Sequence, residues 1–258
     1  MPVANLRREL RRIAALGVGS MLFMTFLLSV AAGAVFALRW LLAALACWSL
    51  VWWQAHHRLQ QNHDIAQGTL LPSLGLANRV TLGRGLLIAA TAGFLATPGV
   101  GSKPLLSYIP ALLYTLAALG DALDGYIARR LQQVTRLGRE LDMALDALGL
   151  LVAPLLAVFI GKLHGSYLLV SAAYYLFQQG LHWRRQQAKP VYSLPPSRLR
   201  RLLAGFQMGL VATVLWPPLP AELTRPVGVL FMVPVLAGFI RDWLHVSGRA
   251  GRDRDSSR

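Results

Sequence analysis

Apolar residues in this chain are gathered into long blocks, and the basic residues stand between the blocks as punctuation. A helix crossing a bilayer's hydrocarbon core needs roughly 20 apolar residues at 1.5 Å each. Stretches that reach or approach that length run at about 13–36, 40–53, 80–97, 105–120, 143–161, 166–183, 202–216 and 227–246. The chain is 55% hydrophobic and 14% charged, against about 25% charged for soluble domains. The pattern predicts an all-α, polytopic membrane helical bundle: a six-helix core preceded by two extra N-terminal transmembrane helices. A basic NLRRELRR segment leads into the first block, as in a secretory signal peptide, whose apolar region is about 7–15 residues long. This block is longer and a second follows directly, so a retained anchor is expected. The single cysteine, Cys47, excludes an intrachain disulfide and a cysteine-based zinc site.

Charge placement tests the layout. With the N-terminus inside, 22 of the 26 basic residues fall in cytoplasmic segments, and only Arg39, Lys103, Lys162 and Arg225 fall outside. Cytoplasmic loops carry such an excess of Lys and Arg. Both termini are therefore expected in the cytoplasm. The net charge of +15 does not read as nucleic-acid binding, because the basic residues sit at the ends of apolar blocks, where anionic lipid headgroups attract them. Three regions follow: an N-terminal membrane extension at 1–75 with two spans and a polar connector, a core at 76–246, and a polar tail at 247–258 expected to be disordered.

Five of the 11 acidic residues fall within 121–146. Asp121 and Asp124 are three apart and Asp142 and Asp146 four apart, so each pair shares one helix face. Each pair abuts an apolar block, which brings four carboxylates together at the cytoplasmic membrane edge. Unopposed, they repel and resist desolvation. Hard oxygen ligands suit Mg²⁺ or Mn²⁺, and about two such ions neutralise four charges. A metal pair of this kind serves reactions at a diphosphate. Between the pairs, Gly125 and Gly138 lack a β-carbon and allow close backbone approach, and Arg129 offers paired donors to phosphate oxygens.

Residues 121–146 read D-A-L-D-G-Y-I-A-R, eight residues, then G-R-E-L-D-M-A-L-D. This string resembles the DxxDGxxAR, eight residues, GxxxDxxxD signature of the CDP-alcohol phosphatidyltransferases at every specified position. NRVTLGR at 78–84 resembles the Asn–Thr–Arg stretch that opens the family's first core helix. The resemblance spans about residues 76–246 and implies displacement of CMP from a CDP-lipid, CDP-diacylglycerol foremost, by the hydroxyl of a small polar alcohol. It implies Asp121, Asp124 and Asp142 as metal ligands and Asp146 as general base, also touching metal. Gly125, Ala128, Arg129 and Gly138, with Asn78, Thr81 and Arg84, are implied to shape the CDP-alcohol site. A homodimer is implied as well. The acceptor stays open between glycerol 3-phosphate, taken first, and inositol phosphate, inositol or serine.

Arg198, Arg200 and Arg201 in the basic 184–201 loop are candidates for an acceptor phosphate, against plain headgroup contact. His56, His57 and His63 have no metal-site spacing and read as an interfacial segment. Trp40, Trp48, Trp52 and Trp53 read as interface anchors or lipid-facing packing, and Gln207 as interhelical hydrogen bonding before cavity lining. Two other functions compete. An intramembrane prenyltransferase carries widely separated Asp-rich motifs, whereas here they are adjacent, and a transporter or non-catalytic scaffold has no need of the intervening glycines.

Overall fold

The basic stretch that opens the chain does not stand apart from the first apolar block. In this computed structural model, which describes residues 2–65, 68–130, 134–195 and 197–249, both belong to one helix, α1 (Pro2–Ala32). The side chains of Pro2 and Arg129 lie outside the description, as do residues 250–258, most of the tail set apart above. Gly33 (φ 93°) separates α1 from α2 (Ala34–His57). That left-handed backbone suits glycine alone, and it folds the two helices into a hairpin: far from the turn, Trp48 Nε1 donates to Ala14 O at 3.4 Å. His56 and His57, read above as an interfacial segment, form the last turn of α2, with His56 stacked on Trp52.

The core follows as α3 (Gly75–Gly93), α4 (Tyr108–Arg130), α5 (Arg136–Phe159), α6 (Leu168–Gln186), α7 (Arg198–Val214) and α8 (Ala221–Val246). Among the described residues the only extended pairings are two isolated antiparallel bridges, His63 with Leu70 and Asp64 with Thr135. The chain is an all-α bundle, as the block pattern predicts. Among the described residues five helices, α1, α2, α3 with its extension to Ala96, α5 and α8, are long and apolar enough to cross a membrane. The other three of the eight expected spans fall short of that standard. α7 has 17 residues, α4 carries Asp121 and Asp124, and α6 ends in QQGLHWRRQ.

α3 is the central element and packs against α2, α4 and α5. Its composition permits this, because Ala77, Gly85, Ala89, Ala92 and Gly93 let neighbours approach closely and are all buried. Large apolar side chains such as Phe23, Phe26, Leu176 and Leu230 are exposed on the outer helices, as expected where the surroundings are lipid. At the end of the bundle away from the aspartates, Lys162 donates to Trp216 O at 3.3 Å and Pro217 O at 3.1 Å, closing the exit of α7. Desolvation in this turn lowers the Lys162 pKa from its ordinary value.

The hairpin is attached to the core by a tryptophan. Trp40 is fully buried, donates to Ala90 O at 3.0 Å and packs edge-on against Phe94. A β-carbon on Gly93 would stand 2.5 Å from Trp40 Nε1, whereas one on Gly19 would meet nothing within 4 Å. Gly93→Val should therefore displace the indole and cost about 1–3 kcal/mol, seen as earlier thermal unfolding in detergent micelles. Gly19→Ala should leave unfolding unchanged or slightly later, since alanine is the better helix former.

Candidate active site

The last turns of α4 and the first turns of α5 lie beside α3, and the three helices bring the acidic pairs together. α5 begins with a cap: Thr135 Oγ1 accepts from Gly138 N at 3.0 Å, satisfying one of the free N–H groups of a helix start. Carboxylate oxygens of Asp121, Asp142 and Asp146 all lie within 4.8 Å of one another. Asp124 is set deeper, 5% exposed, and accepts from Thr81 Oγ1 at 2.9 Å.

Arg84 of α3 reaches into the middle of this group. One terminal nitrogen pairs with Asp121 and stands 3.6 Å from Asp124; the other donates to Asp142 Oδ1 at 2.9 Å and Asp146 Oδ1 at 3.0 Å, and to the Asp142 backbone carbonyl at 3.2 Å. The Arg84 side chain is only 2% exposed, while those of Asp142 and Asp146 are nearly half exposed. The quartet is thus compensated from its buried side and open on the other. Four formal negative charges against one positive leave an excess that a guanidinium alone does not neutralise. Three carboxylates gathered this closely are a donor set that would suit a hard divalent cation. Arg84 was assigned above to the nucleotide or phosphate pocket; its terminal nitrogens are turned to the carboxylates. Its Nε is buried without a hydrogen-bond partner among the described residues.

Two cavities flank the cluster. A cleft of about 200 Å³ is lined by Asn78, Thr81, Asp124, Gly125, Ala128, Gly138 and Asp142, so five of the seven residues expected to shape the CDP-alcohol site share it, while Arg84 does not line it. Arg129 belongs to α4, but its side chain lies outside the described residues. Gly138 has a local reason to be glycine: a β-carbon there would stand 2.4 Å from Asn78 Oδ1. A second cavity of about 190 Å³ opens against Asp146, with Tyr114, Tyr174 and Gln207 in its walls. Gln207 is buried, and its Nε2 has no partner among the described residues, so it does not serve the interhelical bonding expected of it.

The three candidate acceptor arginines are not brought to either cavity. Arg200 lies 3.5 Å from Asp242 Oδ2, and Arg198 and Arg201 are exposed. Two residues went unread in the sequence. Thr135 stands one position before a helix start and is recognisable as a cap; Asn62, discussed below, carries no local signal.

Comparison with known proteins adds an independent line. The family model for CDP-alcohol phosphatidyltransferase matches residues 74–240. A CDP-diacylglycerol–glycerol-3-phosphate 3-phosphatidyltransferase of Rickettsia bellii is 41% identical over 73 residues, 28% of this chain and 38% of that protein. The protein of the same name from Sodalis glossinidius is 30% identical over 113 residues, 42% of this chain and 60% of that protein. The matches thus cover between 38% and 60% of these curated relatives' lengths. No solved structure gives a significant match. With the matched region holding α3, the aspartates and both cavities, and with five membrane-length helices, this chain is an integral membrane protein that belongs to the CDP-alcohol phosphatidyltransferase family.

Proposed function

We propose that the chain transfers a phosphatidyl group from CDP-diacylglycerol to glycerol 3-phosphate with release of CMP. The observation that carries this reading is the meeting of Asp121, Asp142 and Asp146 within 4.8 Å, between two separate cavities. A displacement at phosphorus needs the entering and leaving oxygens on opposite sides. In this reading the cleft beside Asp124 and Gly125 receives the CDP end of the donor, and the cavity beside Asp146 receives the acceptor hydroxyl. The names of the two curated relatives support the donor and acceptor; inositol phosphate, inositol and serine are the alternative acceptors.

Asp121, Asp124, Asp142 and Asp146 would hold Mg²⁺ or Mn²⁺, two ions in this reading, which when bound neutralises the diphosphate and the departing phosphate. Asp146 is the general base. Its carboxylate takes the proton of the acceptor hydroxyl as that oxygen forms a bond to the lipid-bearing phosphorus. The bond from this phosphorus to the bridging oxygen breaks, and CMP leaves with the electron pair. Thr81 holds Asp124 through its hydroxyl, and Arg84 keeps the aspartates converged from below. Gly125, Ala128, Gly138 and Asn78 form the wall against which the nucleotide lies, and Arg129 is assigned to its phosphates. Arg198 and Arg201 serve the approach of an anionic acceptor rather than its final seat, while Arg200 is engaged by Asp242.

The 22-to-4 division of basic residues supports a cytoplasmic placement of both termini and of the aspartates. Membrane lipids cover the outer apolar helices, and the family resemblance supports a homodimer.

Purified protein in detergent with CDP-diacylglycerol, MgCl₂ and a panel of acceptors should release CMP fastest with glycerol 3-phosphate; a faster rate with inositol phosphate, inositol or serine would reassign the acceptor. EDTA should abolish release, and added Mg²⁺ or Mn²⁺ should restore it. Asp146→Asn should slow release by about 100-fold or more, the usual scale for a general base. Release at the unaltered rate would remove Asp146 from that role.

A further inference from the structure

We propose that the connector between α2 and α3 braces the wall of the donor cleft from behind, and that Asn62 is the positioning residue through which it acts. This rests on the reading of the cleft as the place of the CDP-lipid. The connector, described at 58–65 and 68–73, precedes residue 74, where the family match begins, yet the side chain of Asn62 reaches Asn78 of the cleft wall. Asn62 is fully buried, at 0% exposure. Its amide donates to Ser73 O at 2.8 Å and Leu71 O at 3.4 Å, and its Oδ1 accepts from Asn78 Nδ2 at 3.1 Å. Asn78 also donates to Thr135 Oγ1 at 3.1 Å, and its own oxygen accepts from the Thr135 hydroxyl at 3.3 Å. Both Asn78 hydrogens are therefore used, and Asn62 dictates which way the amide faces. Removing Asn62 leaves a buried donor unmade or turns the amide over, and either change alters the wall at Gly138.

The backbone holds the same contact a second way. Ile65 N donates to Val134 O at 3.0 Å and Arg136 N donates to His63 O at 3.1 Å, so the connector is stitched to the residues that enter α5. On the α1 side, Glu9 accepts from Leu74 N at 3.1 Å and Arg79 at 3.3 Å, tying the hairpin to the start of α3. The aspartates have a separate anchor in Arg84. Loss of Asn62 should therefore disturb the donor wall and spare the reacting groups.

The test uses the full chain in detergent with CDP-diacylglycerol, glycerol 3-phosphate and MgCl₂, each substrate varied in turn. Asn62→Ala should raise the donor KM about tenfold, the scale of one buried hydrogen bond, with kcat and acceptor KM within about twofold. The double variant with Asn78→Ala should show the donor KM of Asn78→Ala alone, because Asn62 works through that residue. An unchanged donor KM, or multiplying effects in the double variant, would overturn the proposal. On the unaltered protein, CMP should slow amide exchange at 63–65 and 134–136; protection at 78–81 without protection at 63–65 would equally overturn it. If the unaltered protein releases no CMP with any acceptor, the enzymatic reading itself fails, a result separate from these.

Discussion

One guanidinium set among four carboxylates holds the working end of this molecule together. Arg84 donates from α3 to side chains on α4 and α5, and Thr81 of α3 adds a second tie to Asp124 of α4. A buried arginine is costly unless its partners are charged and well placed. Here the partners are more numerous than one arginine satisfies, and the surplus is directed outward. The arrangement explains how a cluster of like charges is tolerated beside apolar helices. It also explains why the cluster is one-sided: Asp124 is buried and held by Thr81, while Asp142 and Asp146 stay nearly half exposed.

From this tie the rest of the site follows by packing. Small residues on α3 allow α2, α4 and α5 to close around it, and the cap at Thr135 fixes where α5 begins. These two features set the distance between the acidic pairs. Two cavities then open beside the cluster, one against Asp142 and one against Asp146. The N-terminal hairpin, which lies outside the matched family region, is wedged on by Trp40 against Gly93 and by Glu9 against the start of α3. It therefore supports the same helix that carries Arg84.

Much of the fold was legible because its signals are local and repeated. Apolar blocks bounded by arginines marked all eight helices, and the i,i+3 and i,i+4 aspartates marked two helix faces that do converge. Helix ends were less legible: α2 continues through His56 and His57, and α4 runs past Asp124 to Arg130, because polar residues near a membrane edge do not by themselves stop a helix. Three things were hidden for a physical reason. The pairing of Arg84 with aspartates 37 to 62 residues away, the amide chain from Asn62 to Asn78 to Thr135, and the burial of Gln207 in the cavity beside Asp146 all depend on long-range packing. Gly138 shows the middle case, where the residue was singled out but its nearest constraint is the Asn78 side chain rather than a nucleotide.

The central claim is that Asp121, Asp142 and Asp146 form one cation-binding face whose buried side Arg84 compensates. It is tested most directly by an anomalous difference map from crystals of the full chain grown with MnCl₂. The account predicts manganese peaks within bonding distance of carboxylate oxygens from both helix pairs, with Arg84 on the buried side of the cluster. Well-ordered aspartates with no manganese between them, or with the α4 pair turned away from the α5 pair, would contradict it.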